Sequence, residues 1–97
     1  MSKIIKAYKQ HVKMRIEDRY GGIGYRSIEN AIKSGQYKSI ERLTGTRSLC
    51  VAKIEDSIIW FVINRKKKCP VTVLAPDCHS VKKAKKEKQL PEWAQGI

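Results

Sequence analysis

The sequence predicts an α+β domain in which two N-terminal helices pack on a four-stranded antiparallel sheet, with a basic C-terminal tail after it. Three observations carry this. Apolar residues recur at helical spacing over the first third, the period changes near Tyr37 to short β-branched runs divided by turns, and lysines crowd the segment after Ser80. The 97 residues leave room for one domain, placed at residues 1–78, with the tail at 79–97.

Between Ser2 and Arg19, Ile5, Tyr8, Val12 and Ile16 recur at three- and four-residue steps, and Ile4 widens the stripe. That is an amphipathic helix. Tyr20-Gly21-Gly22-Ile23-Gly24 ends it, because its three glycines cost too much backbone entropy in a helix. The turn lacks both the G-x-G-x-x-G spacing and the preceding strand of a phosphate cradle. Ser27 then reads as the N-cap of a second helix, with Glu29 in its first turn and Gly35 closing it. Ile28, Ala31 and Ile32 supply its buried side.

Four strand-like runs follow, Tyr37 to Leu43, Ser48 to Ile54, Ile58 to Ile63 and Val71 to Leu74. Turns at Thr44-Gly45-Thr46, Glu55-Asp56-Ser57 and Asn64 to Lys68 divide them, and Pro70 opens the last strand, where a missing N–H is tolerated. Ile58 to Ile63 is unbroken in its hydrophobicity, which fits a central strand covered on both faces, and the two helices are expected on one of them. From Ser80 to Gln89 five lysines stand against the single acid Glu87, the composition of a disordered or transiently helical tail. Trp93 either folds back on the domain or docks a partner.

A net charge of +12 points to a polyanionic partner, nucleic acid first. Cys50, Cys69 and Cys78 form no C-x-x-C pair and read as free thiols. His79 beside Cys78, with Cys69 the nearest other soft ligand, falls short of a metal set. The acids are scattered and no nucleophile elbow is present, which disfavours two-metal and serine chemistry. No metal and no cofactor is expected. No apolar stretch approaches the roughly 20 residues that span a bilayer, so no membrane partner and a cytoplasmic location are expected.

In a helix His11, Arg15 and Arg19 stack on one side and border the buried stripe. An imidazole in line with two permanent cations can hold and cut a phosphodiester, and RNA brings its own nucleophile, the 2′-hydroxyl. The same spacing suits an ordinary basic helix, with His11 bonded to a carbonyl or nearby acid and the arginines paired to acids on the helix. Arg42, Arg47, Lys53 and Arg65 on a concave sheet make an RNA trough or, equally, a solvated face. Lys66, Lys67 and Lys68 at a hairpin tip and Lys82 and Lys83 in the tail add non-specific grip.

The pattern His11-x-x-x-Arg15-x-x-x-Arg19, then Ser27-Ile-Glu-Asn-Ala-Ile-Lys-Ser-Gly35, then strands ending in Val71-Thr72-Val73-Leu74, resembles the barnase/EndoU/colicin/RelE-like superfamily of small metal-independent ribonucleases. Within it the pattern looks most like bacterial and phage-borne toxin-like domains, and the resemblance covers roughly residues 8–75. It implies an endoribonuclease that cleaves messenger or transfer RNA, at times on the ribosome, by 2′-hydroxyl attack, and that an acidic inhibitor protein neutralises. His11 would be the general acid or base, Arg15 and Arg19 would hold the phosphate, and Thr72 lies on the strand where such domains place a polar active-site residue. The chain departs from the pattern in lacking a second active-site histidine of clear position. Members of such a family can also lose catalysis, and the alternative is a basic module that binds nucleic acid or an acidic partner, for example as an inhibitor.

Overall fold

A strand as apolar as Ile58 to Ile63 needs cover on both sides, and the architecture supplies it. In the computed structural model, which describes residues 3–20, 23–88 and 90–95 and, of these, the side chains of all but 3–8, 18, 19 and 95, the order is α1 (Lys3–Arg19), α2 (Tyr25–Ser34), β1 (Lys38–Arg42), β2 (Arg47–Ile54), β3 (Ser57–Asn64), β4 (Cys69–Leu74), α3 (His79–Glu87) and α4 (Glu92–Gln95). The strands form one antiparallel meander in the order β1-β2-β3-β4. This agrees with the expected α+β class and strand order.

Alternation along the strands sorts the core into two layers. On one side Cys50, Ala52, Ile54, Ile59, Phe61, Ile63 and Val73 pack against Val12 and Ile16 of α1, Ile23, and Ile28, Ala31 and Ile32 of α2. On the other, Leu49, Val51, Trp60, Val62 and Val71 pack against Val81 and Ala84 of α3 and Leu90 and Ala94 around α4.

The second layer corrects the expectation of helices on one face only, and in place of a disordered or transiently helical segment from Ser80 to Gln89 it has α3 packed on the sheet, with the Trp93 segment folded back as α4. Val81 is fully buried and Ala84 is 3% exposed, one turn apart on α3. Burying a branched aliphatic side chain contributes about 1.5–3 kcal/mol, whereas a like-charge pair at helical spacing, such as Lys82 with Lys86, costs only about 0.2–0.5 kcal/mol. Apolar docking therefore outweighs lysine repulsion. An ion pair of 3.5 Å between Lys88 and Glu41 of β1 adds a polar tie at the end of α3.

The start of α2 is a second correction. Gly24 is the N-cap residue, without a side-chain cap, and Ser27 lies inside the first turn with its N–H bonded to the Gly24 carbonyl at 3.1 Å. Glu29 lies beyond that turn and pairs with Lys33 at 3.7 Å. Gly35 closes α2 as expected, with φ of 74°, and the Gln36 N–H reaches Ala31 O at 2.8 Å. Gly21 and Gly22 lie outside the described residues. Between β2 and β3, Glu55 and Asp56 both adopt positive φ in a two-residue hairpin turn.

Replacing Val81 with Asp places a carboxylate in the second layer and lowers unfolding stability by at least about 3 kcal/mol in urea titrations. The exposed neighbour change Lys82→Ala stays within about 0.5 kcal/mol. Equal effects would mean that α3 does not dock.

Candidate functional site

α1 is held in position by its buried residues and by the tyrosine that follows it. Val12 and Ile16, both at most 1% exposed, fix which side of the helix meets the sheet. Beyond the helix end, the Tyr20 hydroxyl donates to the Leu74 carbonyl at 2.7 Å and accepts from the Trp60 N–H at 3.3 Å. Trp60 and Leu74 are ladder partners in β3 and β4, so one phenol joins α1 to both strands. Tyr20 invites reading as core or as a base-stacking group, and nothing in its sequence neighbourhood marks this bridging role.

With α1 so placed, His11 Nε2 lies 2.9 Å from Thr72 Oγ1, an exposed contact between residues 61 positions apart. The pairing register shifts between Val62 and Ile63, which face Thr72 and Pro70 respectively, leaving Val71 as an extra residue in β4. Such a bulge re-aims side chains. Val71 joins the α3 layer and Val73 the α1 layer, and the half-buried Thr72 between them meets His11. Arg15 is half-buried one helical turn beyond His11. The side chain of Arg19 lies outside the described residues.

The expected basic residues divide into separate groups. Arg42, Arg47, Arg65, Lys66, Lys67 and Lys68 gather at the sheet end formed by the β1–β2 and β3–β4 turns. Cys69 begins β4 three residues before Thr72, so this end lies roughly 10 Å along the strand from the His11 contact. Lys53 is at the opposite end of β2, and Lys82 and Lys83 belong to the α3 layer. The concave RNA trough expected on the sheet is corrected, because helices cover both faces.

Within the cationic end, Arg65 differs from its neighbours. Its guanidinium donates to the Arg47 carbonyl, to Ser48 Oγ at 2.9 Å and to the Gly45 carbonyl at 2.8 Å. Ser48 is 1% exposed, so this arginine satisfies a buried hydroxyl and ties two turns together. Asn64 Oδ1 accepts from the N–H groups of Lys66 and Lys67, both at 3.0 Å, which shapes the tip that presents the lysines.

Histidine and cysteine placement narrows the chemistry further. His79 opens α3 beside a hollow of about 250 Å³ that Glu41, Ser80 and Lys83 rim over Leu49 and Val62. It therefore belongs to the layer opposite α1. Burial pushes the Cys50 thiol up to about 11, although a hydrogen bond with Ser39 acts the other way. Burial also raises Cys69, with Lys67 opposing, and both thiols stay protonated near neutral pH. All three cysteines are free. The Tyr25 phenol is raised by burial and by the charge of Glu29, and Lys9 Nζ lies 5.5 Å from its ring centroid, a contact that clasps α1 to α2. Among the described residues no group of His, Cys, Asp and Glu could hold a metal ion, and no helix is long and apolar enough to cross a membrane.

No protein-family model, curated protein or solved structure matches the chain. The geometry of its own residues is what bears on function.

Removing the Arg65 guanidinium with Arg65→Ala takes the donor from Ser48 Oγ and the Gly45 carbonyl, while the Arg47 carbonyl keeps the Leu43 N–H at 2.9 Å. The expected loss in urea unfolding is about 1–3 kcal/mol. Lys66→Ala at the same tip, where only the backbone N–H is bonded, changes stability by less than about 0.5 kcal/mol.

Proposed function

We propose that the chain is a metal-independent, toxin-like endoribonuclease with His11 as its proton-transfer group. The observation that supports this most is the 2.9 Å contact of His11 with Thr72, made across 61 residues and left open to solvent. An imidazole that is merely part of a basic helix needs no such partner on a distant strand. The contact also differs from the carbonyl or same-helix acid expected of a structural histidine.

In this reading the 2′-hydroxyl of the RNA attacks the adjacent phosphorus while His11 accepts its proton. The P–O5′ bond breaks, and the imidazolium returns a proton to the leaving 5′ oxygen, directly or through water. The products are a 2′,3′-cyclic phosphate and a free 5′-hydroxyl. Thr72 orients the ring through its hydroxyl. Arg15 and Arg19 stabilise the charge that builds on the phosphoryl oxygens, since a fixed cation contributes most where charge develops. Lys66, Lys67 and Lys68, at the sheet end beyond Thr72, hold the flanking backbone of a messenger or transfer RNA. An acidic inhibitor that covers this end would block both the imidazole and the cations.

Incubated with RNA in the presence of chelator, the protein is expected to yield fragments ending in 2′,3′-cyclic phosphate. His11→Ala should slow this by about 10²- to 10⁴-fold while leaving the urea midpoint unchanged. Intact RNA, or equal cleavage by the variant, would make the chain a binding module.

A further inference from the structure

We propose that the hollow where α4 meets the edge of β1 and β2 is a subsite for single-stranded RNA, in which Trp93 stacks a base and Lys38 and Lys53 hold the adjoining phosphates. The proposal rests on the reading above for the identity of the polyanion, and its test does not require that RNA be cut. The hollow, of about 670 Å³, is lined by Gln36, Tyr37, Lys38, Lys53, Pro91 and Trp93.

Trp93 is 39% exposed, although Leu90 and Ala94 on either side of it are 6% and 1% exposed. The segment is thus anchored to the domain while its largest apolar side chain is held outward. Tyr37 is half-buried, with its ring edge-on to Phe61 of the α1–α2 layer at a centroid distance of 6.1 Å, so it bounds the hollow at the sheet edge from a fixed position. Lys38 stands opposite Val51 in the β1–β2 ladder and Lys53 is two residues further on, so both project from the side that α4 covers. Such diagonal neighbours lie about 7–8 Å apart. Both lysines are exposed, and neither pairs with an acid among the described residues. Glu92, the chain neighbour of Trp93, does not line the hollow.

Exposed aromatic faces interleaved with point cations suit a nucleic-acid strand, because every base offers a π-face and every phosphate a charge. The Gln36 amide can both donate to and accept from a base edge. Acidic peptides are recognised best by the forked donors of arginine, and the hollow has only lysines. A stacked base must be free of its pairing partner, which selects single strands. The hollow lies at the β1 side of the sheet in the α4 layer and His11 on α1 against β4, so the two are about 14 Å apart across the strands and on opposite layers of the domain. Of the two tryptophans, Trp60 is 1% exposed, so Trp93 alone can report a bound base.

The test uses a short 2′-O-methylated single-stranded RNA, which binds but cannot be cleaved, with affinity read by anisotropy and stacking by tryptophan emission. The expected results are quenching of Trp93, a roughly tenfold weaker complex with Trp93→Ala, and recovery with Trp93→Phe. Trp93→Leu keeps apolar bulk without a stacking face and should bind as weakly as Trp93→Ala, which separates stacking from folding. The double change Lys38→Ala/Lys53→Ala should reduce the slope of log affinity against log salt by about 1.4. Affinity unchanged by Trp93→Ala, full affinity with Trp93→Leu, or equal quenching by oligoglutamate or by duplex RNA would overturn the proposal.

Discussion

The burial of β3 on both faces is the constraint on which the other features depend. Ile59, Phe61 and Ile63 face one way and Trp60 and Val62 the other, and each of them is at most 7% exposed. In a chain of 97 residues neither half of this surface can be left to water, since each such side chain contributes about 1.5–3 kcal/mol only when covered. The domain is therefore three-layered. α1 and α2 cover one face, α3 and α4 cover the other, and the polar groups are confined to rims, turns and strand ends.

That confinement explains where the chemistry can be. The sheet faces are closed, so a ligand must use the places where layers meet. One is the seam between α1 and β4, where Tyr20 and the buried Val12 and Ile16 bring His11 to Thr72. A second is the turn end with its lysines, shaped by Asn64 and braced by Arg65. The third is the rim between α4 and β1–β2, where Trp93 is exposed. In each the reactive or cationic side chain is set by neighbours that bury or bridge, so positioning and stability share residues.

Much of this was legible in the sequence, and the parts that were not have physical reasons. Helical spacing identified Val12, Ile16, Ile28, Ala31 and Ile32, and the unbroken Ile58 to Ile63 run correctly implied cover on both faces. That same run required a second layer, yet the lysine density of 80–89 hid Val81 and Ala84, whose one-turn spacing was the available signal. The Ser27 cap failed because the helix begins two residues earlier, at Tyr25 with Gly24 as its N-cap, and glycine at an N-cap carries no side-chain signature. His11 and Thr72 could each be singled out, but their contact depends on a one-residue bulge and on helix docking, neither of which spacing reveals. Arg65 looked like its lysine neighbours because composition does not show where a guanidinium points.

The claim that α1 docking makes His11 and Thr72 one functional unit is tested most directly by a double-mutant cycle on the second-order rate of RNA cleavage, using His11→Ala, Thr72→Val and the pair. The account predicts that Thr72→Val slows the protein with His11 intact and has almost no further effect once His11 is gone, a coupling of at least about 1 kcal/mol. Losses that simply add would contradict it, because two groups acting through one hydrogen bond cannot fail independently.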